Sequence, residues 1–428
     1  MIARVPSDHR LRHPRGLARA GRWLLLGGLV SALGSFAAAE GLRVAGSWTG
    51  KIQPDPRLPV IPWELTVAAH LGDATGATRL ELRAELPGGN VRAKVEQIGA
   101  DAPMRWTVPR QTLASEPWRE IAVRFLPALA EWTFDGAVEL EGAGTWSDAA
   151  GATGAFHVVW RPGRVENASS ALVVRQPVLR ATVGLADSTV ASIDVELNWA
   201  SVDVNMIHLG AGALTAHQTA AGRWQVGEVS APLWQGRVIL APFEVDPAHP
   251  VINGHVSLAA VAAAELVPFL PDALSSASGR VSGELTFAWD ESKGFAPKSG
   301  QFAILEDDKP KVRLAASPGL LSAKVPAKIE TMPQWLGPIA KWMAVENPAR
   351  DELIEIEMGR RTLQVERMEA RLVPGAVAGE TKVQARLVAR PQDATAVELV
   401  DFTVNVTGPW EDLIRVSAED GVKIKATF

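Results

Sequence analysis

Period-two alternation constrains this chain more than any other feature of it. Leu80-Glu-Leu-Arg-Ala-Glu-Leu86 and Val91-Arg-Ala-Lys-Val-Glu96 alternate apolar and charged side chains, and Ile193-Asp-Val-Glu-Leu-Asn-Trp199 does so most cleanly. Ile354-Glu-Ile-Glu-Met358, Val383-Gln-Ala-Arg-Leu387 and Phe402-Thr-Val-Asn-Val406 repeat the pattern. Successive side chains of a strand point to opposite faces, so each run presents one apolar and one wet face. The 37 glycines and 29 prolines spread through 428 residues cut these runs short, as antiparallel meanders require. A mainly β chain is expected.

Helical pattern is sparse. Trp118–Leu129, Ala259–Leu270 and Gln334–Val345 are the candidates, each short and each carrying a proline that limits or kinks it. Two of them open an internal echo. Phe125–Trp146 and Phe269–Trp289 share Phe-Leu-Pro, a glycine ten or eleven residues on, an alternating run and a Trp. A Gly-led strand follows each, at Gly154 and at Gly300. Ordered agreement of this kind predicts a repeated unit, and stacked units share one continuous core.

The segment Val229–Val245, VSAPLWQGRVILAPFEV, reads as two turn-bounded strands, Val229–Trp234 and Arg237–Phe243, with Gly236 permitting the close turn between them. Pro232 and Pro242 are expected near strand edges or ends.

The N-terminus has the form of an export signal. Arg4, Arg10, Arg12, Arg15, Arg19 and Arg22 form a basic leader, Trp23–Phe36 is a short apolar run, and Ala37-Ala38-Ala39 gives a small-residue cleavage pattern before Glu40. Residues 1–39 are therefore expected to be a signal peptide or an N-terminal anchor, and the remainder periplasmic. Without them the net charge falls to about −10. Nucleic-acid binding needs a basic face to neutralise phosphates, so no nucleic-acid partner is expected.

The chain has no cysteine, which removes disulfides, thiolate nucleophiles and Cys-ligated metals together. It has no phosphate-binding loop, no His-Glu-x-x-His and no Gly-x-Ser-x-Gly. His70, His157, His208, His217, His249 and His255 form no chelating spacing, and Glu355 with Glu357 reads as the wet face of a strand. No cofactor, no metal and no enzymatic activity are expected.

From about Glu228 to Val416 the order of short segments resembles the YdbH branch of the AsmA-like proteins, a domain also labelled "dicarboxylate transport". The matching pieces are Val229–Val245, then Val251–Leu270, the Gly-Arg-x-x-Gly-x-Leu run Gly279–Leu285, the Gly-led Gly300-Gln-Phe-Ala-Ile-Leu, the Pro-Gly step of Ser317–Leu320, and Phe402–Val416. The resemblance implies an elongated, curved antiparallel β-sheet built from repeated units, with a few short capping helices and an apolar groove for phospholipid acyl chains. It also implies service to the inner and outer membranes, with a small outer-membrane lipoprotein adding strands at the C-terminal edge. Two β regions are expected after the leader, 40–227 and 228–428.

The groove candidates are Ile193, Val195, Leu197, Trp199, Val238, Leu240, Val281, Leu285 and Phe287, each on the apolar side of an alternating run. The same alternation would serve the closed core of a structural or protein/glycan-binding β-sandwich of the cell envelope equally well. A dicarboxylate carrier has no support, because convergent arginines are needed and the arginines here are scattered over wet strand faces.

Overall fold

A computed structural model describes residues 43–53, 59–70, 77–98, 102–125, 127–147, 149–219, 222–246, 251–271, 273–290, 294–304, 309–329, 345–374, 381–408 and 425–427. The chain is mainly β, 66% strand and 10% helix, in one large antiparallel sheet that does not close into a barrel. Among the described residues that sheet has 28 strands, and a separate two-stranded ribbon pairs Lys328–Ile329 with Val345–Glu346. The expected leader, residues 1–39, lies outside the described residues, as does the candidate helix from Gln334 up to residue 344.

Contacts divide the chain into two compact units. One comprises Met1–Ala130, Asp135–Trp160 and Arg180–Ile193; the other comprises Glu131–Phe134, Arg161–Leu179 and Asp194–Phe428. The division thus falls at Ile193/Asp194 and is interleaved around residues 131–179, whereas the sequence suggested 227/228.

In the first unit the strands Arg43–Ile52, Ile61–His70, Ala77–Leu86, Gly89–Ile98 and Met104–Ala114 pair in chain order, each antiparallel to the next. Alternation places Leu65, Leu80, Leu82, Ala84, Val91, Val95, Trp106 and Val108 on one face, and all are buried. Their neighbours Glu81, Arg83, Arg92 and Lys94 are exposed on the other. Helix α1 (Glu116–Phe125) follows, contributing buried Ile121.

The second unit carries the long antiparallel run formed by Val251–Ala262, Arg280–Asp290, Gly294–Ile304, Leu363–Pro374, Thr381–Pro391 and Val400–Gly408. Val229–Leu233 and Gly236–Leu240 form a hairpin, and the latter strand pairs with Val251–Ala262. The hairpin's tight turn is made by Trp234 and Gln235, both with positive φ (45° and 64°), rather than by Gly236. Gly236 is needed for a different reason: a Cβ there would collide with the Ala259 and Ala260 backbone. A third short strand, Phe243–Val245, completes the segment.

Helix α2 (Pro348–Glu357) corrects the strand expected at Ile354–Met358. Asn347 caps it, accepting from the Ala349 amide at 3.2 Å, and Pro348 supplies a fixed φ at the first turn. Likewise Ala259–Leu270, expected as helix, continues as strand to Ala262 and only then forms the 3-10 turn Ala263–Phe269.

The internal echo is a repeated structure. Met104–Ala114 pairs with Ala137–Ser147 and is interrupted by a helical segment; Val251–Ala262 pairs with Arg280–Asp290 in the same way. Each first strand carries a register shift near its end, between Val108 and Gln111 and between Leu258 and Val261. Gly136 and Gly279 precede the two second strands, both at φ 100°. Each accepts, through its carbonyl, the amide that starts the helical segment: Ser115 at 3.1 Å and Ala263 at 2.9 Å.

Candidate functional site

Cross-strand register in the second unit aligns apolar residues of distant sequence into rows. Val195 lies opposite Ala216, Leu197 opposite Leu214 and Trp199 opposite Gly212. Further along, one row runs Ala231–Val238–Leu258–Gly283–Phe302–Ala370–Ala385. The next runs Val229–Leu240–Val256–Leu285–Gly300–Leu372–Val383. Directly opposed residues share a face, so each row is a continuous apolar strip running across the strands.

Buried clusters flank the strips at one end of the strands. Leu233, Val261, Ala263, Val281 and Ile304 form a buried cluster against the 3-10 turn, with Leu266 packed on it. Val312, Leu314, Ile356, Leu363, Val365, Leu387, Ala389 and Val400 form a second cluster where α2 and the Leu320–Leu321 loop lie over the same ends of the strands. Val238, Leu258 and Phe302 pack against the first cluster and are half-buried, as are Leu240, Val256, Leu285, Phe287 and Leu372 farther along the strands.

Large rings lie flat on this face because glycines make room for them. Phe287 lies over Gly254, Phe302 over Gly283 and Trp199 over Gly212; a Cβ at any of these glycines would collide with the ring. In every case glycine and ring are register partners on adjacent strands. The first unit repeats the device with Trp63 over Gly50 and Trp106 over Gly144. A ring laid along the sheet covers backbone that glycine leaves bare and keeps the apolar surface low.

The opposite face is polar and paired. Gln301 donates to Glu284 at 2.7 Å, Thr286 and Ser299 hydroxyls meet at 2.5 Å, and Lys298 donates to Asn253 at 2.7 Å. Arg386 pairs with Asp401 at 2.7 Å, and Arg367 with Glu369 at 2.6 Å. These hydrogen bonds hold the Asp401 and Glu369 carboxyls below their ordinary range. All of this is the chemistry of a solvated strand face.

Of the nine groove candidates, Val195, Leu197, Trp199, Val238, Leu240, Leu285 and Phe287 are half-buried, while Ile193 and Val281 are 6% and 7% exposed. Val281 belongs to the closed cluster at the strand ends. Register adds Leu214, Val256, Leu258, Phe302 and Leu372 to the half-buried set. Their runs alternate less cleanly, and strand pairing was the missing signal.

Two buried carboxylates sit on α2: Glu357, expected on the wet face of a strand, and Glu352, which no sequence pattern singled out. Glu352 accepts from the amides of Thr395, Ala396 and Val397 and from the Thr395 hydroxyl, at 2.8–3.0 Å. The Thr395 amide leads in holding its carboxyl down to about 2, against the upward push of burial. Glu357 accepts from the amides of Gly319, Leu321 and Ser322 and from the Ser322 hydroxyl. Burial pushes that carboxyl up, but its four donors outweigh burial and leave it lowered. Each glutamate therefore staples one loop to the helix that caps the strands.

Among the described residues no group of three His, Asp or Glu is placed to hold a metal ion, and no helix is long and apolar enough to cross a membrane. No family model, curated protein or solved structure matches the chain.

Proposed function

We propose that this chain is a non-enzymatic periplasmic protein that holds phospholipid acyl chains along its apolar sheet face and serves transport or lipid homeostasis between the inner and outer membranes. The half-buried rows centred on Val238, Leu240, Leu285 and Phe287 carry the reading. They form a low apolar surface, wider than one strand, next to caps that bury the ends of the same strands. Burying an acyl chain on such a surface contributes about 0.8 kcal/mol per CH₂. The basic leader and small-residue cleavage pattern support export, and the YdbH-like order of segments agrees with the lipid assignment.

A second reading, a structural or protein/glycan-binding β protein of the envelope, is favoured by the two fully closed clusters. Transfer of a fluorescent phospholipid from donor to acceptor vesicles separates the two. The lipid reading expects transfer above the spontaneous rate, in proportion to protein concentration; a rate equal to the vesicle-only control rejects it.

A further inference from the structure

The two caps over the strand ends of the second unit are held in different ways. Helix α2 is fixed by Glu352 and Glu357, each accepting three loop amides and one hydroxyl. The 3-10 turn Ala263–Phe269 has no side-chain cap at its start, and Pro268 removes an amide donor inside it. The strand leading into it is broken at Ala260, at φ 53°, where the register shifts between Leu258 and Val261. Beneath the turn, Val261, Val281 and Ile304 are buried register partners. They form the next row after Leu258–Gly283–Phe302, so the apolar face continues under this cap.

Trp234, at the tip of the hairpin between Leu233 and Gly236, packs its ring on Phe269 of the turn, with centroids 5.6 Å apart. A two-residue hairpin turn needs positive φ, which glycine and asparagine adopt at little cost and Trp234, at 45°, does not. The ring is therefore kept against backbone strain, and what it meets is Phe269 and the buried cluster below. The Trp234 carbonyl also accepts the Ala262 amide at 2.8 Å, which ties the hairpin tip to the root of the turn. We infer that Ala263–Phe269 is a lid, hinged at Ala260 and latched by Trp234 on Phe269, whose opening adds the row Val261–Val281–Ile304 to the apolar face. The inference rests on the lipid reading for its cargo and on these contacts for its motion. An open lid gives an acyl chain one further row of apolar contact beside Leu258 and Phe302.

The test uses the full-length chain, with hydrogen exchange read by mass spectrometry. In the parent protein the amides over 263–270 are expected to be about tenfold less protected than those of α2. Trp234→Asn removes the ring and leaves a residue suited to positive φ. It is expected to lower protection over 263–270 by about tenfold again, the worth of one aromatic contact, and to leave 251–258 and 283–290 unchanged. With a phospholipid carrying a photoactivatable group in its acyl chain, the same variant is expected to gain adducts on Val261, Val281 and Ile304 beside those on Leu240 and Leu285. Protection equal to that of α2, no loss in the variant, or a loss spread over the hairpin and its neighbouring strands would overturn the latch. Adducts on Leu240 and Leu285 with none gained under the turn would overturn the opening. No adduct at any of these residues would reject the lipid reading itself, and the inference would fall with it.

Discussion

The ring of Phe287 lies over Gly254, its register partner on the neighbouring strand, in the space a Cβ would need. The pair couples two residues whose roles differ: the ring forms the surface and the glycine sets its height. Gly254→Ala is expected to cost about 1–3 kcal/mol by overpacking. In a Phe287→Ala background the same change is expected to cost little, since the collision is gone. Urea denaturation of the four proteins in this cycle measures the coupling, and additive losses would contradict the geometry.

The half-buried and buried parts of the apolar face should answer differently to charge. Val281→Asp enters the closed cluster beneath the 3-10 turn and is expected to cost about 3 kcal/mol or more, enough to abolish a cooperative transition. Leu285→Asp lies two rows away on the half-buried stretch. It is expected to keep the fold, by circular dichroism, while lowering phospholipid occupancy in native mass spectrometry. Equal unfolding by both would mean that the face is core throughout.

Glu352 and Glu357 should act as staples rather than as acid–base groups. Glu352→Ala strands three amides and is expected to cost about 2–4 kcal/mol, read by thermal or urea unfolding. The folded carboxyl of Glu352 lies at about 2, below its ordinary 4.5. Its contribution is therefore complete above pH 4.5 and is lost as pH falls toward 2. The parent protein should lose stability over that interval, and the Glu352→Ala variant should lose less over the same interval.

Gly136 and Gly279 occupy equivalent places in the repeated unit, both at a φ that favours glycine. Either changed to Ala is expected to cost about 1–2 kcal/mol from the backbone. At Gly279 the new Cβ would also meet Pro310 at 2.7 Å, which adds to the backbone cost there. A stabilising effect at either site would break the equivalence of the two units.

Alternation alone revealed the strands around Leu80, Val91, Ile193, Val383 and Phe402, because each has one face in water. It misread Ile354–Met358, where Glu357 is buried against amide donors on the Gly319–Ser322 loop, so charge no longer marked the wet side. The Asn347-Pro348 cap was the better signal there. Of the site, residues in clean alternating runs were legible, and the rows they form were not. Leu258 and Phe302 reach the face through pairing with Val238 and Gly283, which no local pattern contains. Nor did the sequence distinguish half-buried Leu285 from buried Val281 on the same strand, since only the overlying turn separates them.

The central claim is that lipid lies on one face of the second unit. A phospholipid bearing a photoactivatable group in its acyl chain, crosslinked to the protein and mapped by peptide mass spectrometry, tests it most directly. The account predicts adducts on Val195, Leu197, Trp199, Val238, Leu240, Leu285 and Phe287, and none on His255, Glu284 or Gln301 of the opposite face. Adducts shared equally by the two faces, or none above a no-light control, would contradict it.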